Sequence, residues 1–199
     1  MSKLPVLEKD TADPELDCAL RLIDKERYEE AFRFLEMADR REIPSAQYIL
    51  GQMYASGRGA PEDPEKALRY FRKASANGMP YADADLGVCY YNGFGCERDI
   101  AKALEYFTMA AEAGVAEAQL CLGNMYMTGE GTERDEKTAV EWFRKAAERG
   151  NADAQFNMGV AYENGSGVDK DTESAVMWYK MAADQGDKAA ARKVRDLKN

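Results

Sequence analysis

The chain has 199 residues, with 27 Lys and Arg against 36 Asp and Glu, a net charge of -9, no histidine and 45% hydrophobic residues. That apolar share can build a continuous core, while the acidic balance argues against a phosphate-backbone partner, so no nucleic acid is expected. Met1 to Leu16 holds no apolar run of signal-peptide length and no stretch of about 18 apolar residues occurs, which leaves a soluble, cytoplasmic protein without a membrane partner as the expectation.

Residues 1–12 read as a disordered tail. Residues 13–44 carry a hairpin pattern, with Leu16, Leu20 and Ile23 before a turn near Asp24 and Tyr28, Ala31, Leu35 and Ala38 after it. This is a degenerate capping hairpin, because the end unit of a stacked array must cover an otherwise exposed core face. A cassette of 36 residues then occurs four times, over 45–80, 81–115, 116–151 and 152–186. Nine of its columns keep one residue type in all four copies, among them Gly51, Gly87, Gly123 and Gly159, and Tyr54, Tyr90, Tyr126 and Tyr162. A fixed period in this range signals a stacked-repeat solenoid. Residues 187–199 close the chain as a single helix.

Within the first cassette, Ala46, Leu50 and Tyr54 and then Ala67, Phe71 and Ala74 form two apolar stripes at helical spacing, separated by the Gly57–Glu62 loop. Asp63 is placed to cap the second helix, and Asp99, Asp135 and Asp171 repeat it. Gly78, Gly114, Gly150 and Gly186 stand where that helix ends and a left-handed residue is wanted. The Gly-x-Gly loop segments lack the Lys-Ser/Thr of a phosphate loop and read as helix termination. A glycine inside the first helix costs about 1 kcal/mol against alanine. Its four-fold recurrence predicts close approach of the two helices, with Ala67, Ala103, Ala139 and Ala175 as small surfaces opposite.

Ala118-Gln119, Leu122-Gly123, Tyr126, Gly129-x-Gly131, Asp135, Trp142-Phe143-Arg144-Lys145-Ala146-Ala147 and Gly150 together resemble the SEL-one-like repeat, a relative of the tetratricopeptide repeat with a longer inter-helix loop. The resemblance implies an all-α fold, a right-handed α-solenoid of stacked antiparallel helix hairpins, with first helices lining a concave face where partners sit. Some members have been linked to β-lactam hydrolysis, but no Ser-x-x-Lys occurs here and without histidine neither a Ser-His nor a Cys-His pair can be built. No enzyme activity and no cofactor are expected. Cys18, Cys89, Cys96 and Cys121 form no Cys-x-x-Cys pair, so free thiols are expected and no metal site.

The inward columns of the first helices vary while the core columns do not, and no lysine or arginine stands in them. The expected partner-binding residues are Tyr48, Gln52, Tyr81, Asp85, Val88 and Tyr91 in the first two cassettes. Glu117, Asn124, Met127, Asp153, Asn157 and Glu163 follow in the last two. Such a face, acidic and aromatic, suits a basic or amphipathic polypeptide segment, and it lacks the cations that hold a chaperone's terminal carboxylate. The function read from the chain is a non-catalytic adaptor that binds a protein or peptide. The alternative is a hydrolase or thiol-based redox protein using Cys89, Cys96 or the carboxylates.

Overall fold

The computed structural model describes residues 13–197, so the expected tail at 1–12 lies outside the described residues. All regular structure among them is helical: α1 (Pro14–Ile23), α2 (Tyr28–Asp39), α3 (Pro44–Ser56), α4 (Pro64–Ala76), α5 (Pro80–Asn92), α6 (Ile100–Glu112), α7 (Ala116–Thr128), α8 (Glu136–Glu148), α9 (Ala152–Asn164), α10 (Thr172–Asp184) and α11 (Lys188–Asp196). The chain divides between Ala103 and Leu104 into two compact units. In the first, each of α1 to α5 packs on its neighbour in sequence, and α7 to α11 do so in the second.

Local chemistry sets the helix ends. Asp63 Oδ1 accepts from the Lys66 amide at 3.0 Å and Asp99 Oδ1 from the Lys102 amide at 3.1 Å, satisfying a first-turn N–H that has no partner inside the helix. Asp135 and Asp171 do the same for α8 and α10. The Lys66 amide, ahead of the Lys66 side chain, holds the Asp63 carboxyl below its ordinary range. Each first helix of a cassette ends on a left-handed glycine, as at Gly57 and Gly165.

Each unit builds its core from the apolar stripes. Leu16, Leu20, Ala31, Leu35, Ala46 and Leu50 are buried together in the first unit, and Val140, Phe143, Met158 and Trp178 in the second. The helical glycines do mark close approach, but what fills the space differs from the sequence expectation. A Cβ on Gly123 would lie 2.6 Å from the Phe143 ring and 3.1 Å from the Ala139 carbonyl oxygen. Gly51 faces Phe71 and Gly159 faces Tyr179 at the same 2.6 Å. At these three glycines an aromatic ring lies against the bare Cα, and at Gly123 the backbone of Ala139, one of the small residues expected opposite, sits beside it as well.

At Gly95 and Gly167 the second glycine of the Gly-x-Gly has a role that helix termination does not cover. A Cβ on Gly95 would lie 2.2 Å from the Pro64 carbonyl oxygen, and one on Gly167 would lie 2.2 Å from that of Glu136. In both units the loop of one hairpin therefore rests on the first turn of the second helix of the hairpin before it. A buried polar column sits at the opposite end of the hairpins. Gln155 Nε2 donates to the Ala147 carbonyl at 3.1 Å while its Oε1 accepts from Gln185 Nε2 at 2.8 Å. Asp83 occupies the same column, accepts from the Ser75 hydroxyl, and has its carboxyl pushed up by burial.

Candidate partner-binding surface

In the first unit the expected surface residues divide into wall and floor. Tyr48 is only 4% exposed, with its ring 6.0 Å from that of Phe71 and 6.3 Å from that of Tyr81, and its hydroxyl accepts from Gln52 Nε2 at 2.7 Å. It is a core residue in contact with Gln52 and Tyr81 of the surface columns. Tyr81 and Val88 are exposed. Tyr91 is partly buried, carries the Arg98 guanidinium 5.5 Å above its ring, and accepts from Arg98 Nε on its carbonyl.

Gln52, Asp85 and Val88 converge on one cavity of about 380 Å³ between α3 and α5. Ile49 and Phe71 form its apolar wall, and Ala55 and Cys89 also line it. Gln52 Oε1 is buried without a hydrogen-bond donor, while the amide nitrogen of the same side chain donates to the Tyr48 hydroxyl. Arg58 reaches the same cavity, with its guanidinium held 5.5 Å over the Tyr28 ring.

In the second unit Glu117, Asp153 and Asn124 are exposed, while Met127 and Asn157 are partly buried. Asn157 Nδ2 donates to Asn124 Oδ1 at 3.4 Å, which ties α9 to α7 along this face. Glu163 is engaged within the chain: Lys193 on α11 sits 2.9 Å from both carboxylate oxygens, and the Tyr179 hydroxyl donates to Oε2 at 2.6 Å. In each unit, columns that hold no basic residue of their own are thus reached by a cation from outside them, Arg98 from a loop in the first and Lys193 from the closing helix in the second. The pairing of Glu163 with Lys193 across 30 residues is not among the sequence expectations, which give residues 187–199 only as a closing helix.

The Tyr179 hydroxyl, ahead of Lys193, holds the Glu163 carboxyl below its ordinary range. A depressed carboxyl adds stability above the unfolded value, about 4.3, and loses it as pH falls through the folded one. Tyr179→Phe keeps the ring on Gly159 and removes only the donor. The variant should be less stable by about 1 kcal/mol at pH 7, with the gap closing as the carboxylate range is crossed downward. Melting curves at pH 7, 5 and 3 read this, and a gap that stays constant with pH would contradict it.

Two of the thiols, Cys89 and Cys121, lie in surroundings that disfavour the thiolate. All four cysteines are free. Burial pushes the Cys89 thiol up to about 12 and the Cys121 thiol up to about 11, so neither supplies a thiolate near neutral pH. Cys96 Sγ turns to the Cys89 and Phe94 carbonyls at 3.8 and 3.7 Å. No group of three or more Cys, Asp and Glu set to hold a metal ion occurs among the described residues, and none of their helices is long and apolar enough to cross a membrane.

The Sel1 repeat family model matches residues 44–79, 80–115, 116–151 and 152–187. Among solved structures, a Sel1 repeat protein from Oxalobacter formigenes is 32% identical, with 90% of this chain and 73% of that one covered at a TM-score of 0.85. A protective antigen of uropathogenic Escherichia coli strains with an SLR fold is 30% identical, with 90% of this chain but only 39% of that one covered, again at 0.85. The immunity protein Pa5087 from Pseudomonas aeruginosa, at 24% identity and a TM-score of 0.61 over 90% of this chain and 69% of its own length, shares the fold. No curated protein matched the chain in sequence.

Proposed function

Because the chain belongs to the Sel1-repeat family, whose arrays commonly serve as protein-interaction modules, we propose that it is a non-catalytic scaffold holding a segment of another protein against its first helices. The segment is basic or amphipathic. The observation that carries this is the convergence of Gln52, Asp85 and Val88, three residues of the inward columns, on one cavity with an apolar wall, a carboxylate and a buried acceptor. Surfaces of that kind, a pocket for an anchor beside charge of one sign, are where binding energy concentrates.

Glu117 and Asp153 add exposed carboxylates on the corresponding helices of the second unit, and the net charge of -9 favours a cationic partner while disfavouring nucleic acid. Raised thiol values at Cys89 and Cys121 weigh against the redox or hydrolytic alternative. Four free thiols fit a reducing compartment, so a cytoplasmic location belongs to the same proposal.

Selection from a displayed random-peptide library on the immobilised full chain tests the reading. Enriched peptides should carry Lys or Arg beside an apolar residue, bind more weakly as salt rises, and lose affinity for the Asp85→Lys/Glu117→Lys variant. No enrichment, or enrichment of acidic peptides, would overturn it.

A further inference from the structure

One small residue, Ala55, lines the α3–α5 cavity at a position where the other cassettes carry a longer side chain. The cassette column that holds Ala55 holds Tyr91, Met127 and Glu163 in the later copies, so three of four repeats place a long side chain where the first places a methyl group. The last copy shows what that position reaches. Glu163 meets Lys193, 30 residues on, with both oxygens at 2.9 Å from Nζ. The equivalent positions in the first unit are Ala55 and Asp85, also 30 apart, and both line the cavity. Where the end of the chain closes the space with its own ion pair, the first unit leaves it open and puts an acid in the column that holds the base at the other end.

We propose that this cavity is a socket for a single arginine side chain of the bound segment, a proposal that rests on the protein-binding reading above. Three features select that occupant. The walls, Ile49, Phe71 and Val88, suit an aliphatic stem. Gln52 Oε1 is a buried acceptor with no donor, and Asp85 places a carboxylate at the same cavity, so a head group that donates N–H bonds and carries positive charge complements both. A planar guanidinium can bridge an amide oxygen and a carboxylate at once, and it is less strongly hydrated than an ammonium, so it loses less on entering a mostly apolar site. Arg58, at the same cavity, is placed over Tyr28.

The probe is n-butylguanidinium, titrated into the isotope-labelled full chain and followed by amide and Gln side-chain NMR shifts, with n-butylammonium and pentanoate as comparisons. The guanidinium should give saturable shifts centred on the Gln52 side-chain amide, Val88 and Cys89. Butylammonium should bind about fivefold more weakly, and pentanoate should produce no localised shifts. Ala55→Tyr, which installs the residue the next cassette carries, should abolish the response, and Asp85→Asn should weaken it about tenfold, both with unchanged circular dichroism.

Equal response to pentanoate, tighter binding of butylammonium, or an undiminished response in Ala55→Tyr would each overturn the socket. A library-selected basic peptide that binds Ala55→Tyr as well as the natural chain would sink the socket and leave the protein-binding reading standing. Failure of the library selection alongside a localised guanidinium response would overturn the protein-binding reading, and with it an arginine of a bound segment as the occupant, and leave only a site for a small guanidinium compound.

Discussion

Gly123→Leu should destabilise the protein by about 3 kcal/mol, at the upper end of what overpacking costs and opposite in sign to what helix propensity alone would give. Alanine at the same position separates the two effects. Propensity favours Gly123→Ala by about 1 kcal/mol, but its Cβ would stand 2.6 Å from the Phe143 ring, and that ring is 2% exposed and hemmed in by its own core. Overpacking costs about 1 to 3 kcal/mol, so Ala should also lower stability, by less than Leu.

Phe143→Ala on its own should cost about 3 to 5 kcal/mol, since a buried ring is removed and a void is left. The decisive measurement is the double variant. Leucine at 123 would occupy space vacated by the ring, so Gly123→Leu/Phe143→Ala should be clearly more stable than the sum of the two losses predicts. Denaturant titration of the four proteins gives the coupling. Additive losses would show that the glycine and the ring do not compete for one space.

That packing was half legible. Recurrence of Gly51, Gly87, Gly123 and Gly159 suggests that a side chain is excluded, but where the excluding partner is seen, at Gly51, Gly123 and Gly159, it lies twenty residues on, at Phe71, Phe143 and Tyr179, and a period counts columns without saying which ones touch. The helices themselves were readable because their causes are local: an Asp cap, an apolar stripe and a terminal glycine all act within a turn or two of the residue that shows them. Contacts that join one hairpin to the next were not, since nothing local distinguishes Gly165, which ends a helix, from Gly167, which rests on a neighbour.

Tyr48 shows the same limit at the surface. Its column borders the inward face, and a helix position at the edge of a stripe falls to core or surface according to the neighbouring helix; here Phe71 and Tyr81 enclose it. Ala55, in contrast, was a readable signal that a reading for shared chemistry passes over. A single small residue in a column of Tyr, Met and Glu marks missing volume, and the cavity lies there.

Gly167→Ala should cost about 3 to 5 kcal/mol, against about 1 to 2 for Gly165→Ala two residues away. Both glycines have left-handed backbones, φ 72° and 78°, so the strain of forcing an L-residue into that region is common to the pair. Their surroundings differ. A Cβ on Gly165 would meet Lys170 Cβ at 3.4 Å, an ordinary contact, whereas one on Gly167 would be driven to 2.2 Å from the Glu136 carbonyl oxygen and 2.5 Å from its carbon. Backbone in the first turn of α8 cannot rotate aside as a side chain can, so the loop has to lift away from it.

In a stacked array, stability is approximately a sum of hairpin terms and neighbour interfaces, and this contact belongs to the interface between the α7–α8 and α9–α10 hairpins. The excess cost at Gly167 should therefore appear as uncoupling as well as a lower melting temperature. Amide exchange in α9, α10 and α11 should accelerate more than in α7 and α8, while Gly165→Ala should leave that ratio unchanged. Equal losses in the two variants would mean that backbone conformation alone accounts for the second glycine, and that the hairpins are held together by their helices without help from the loop.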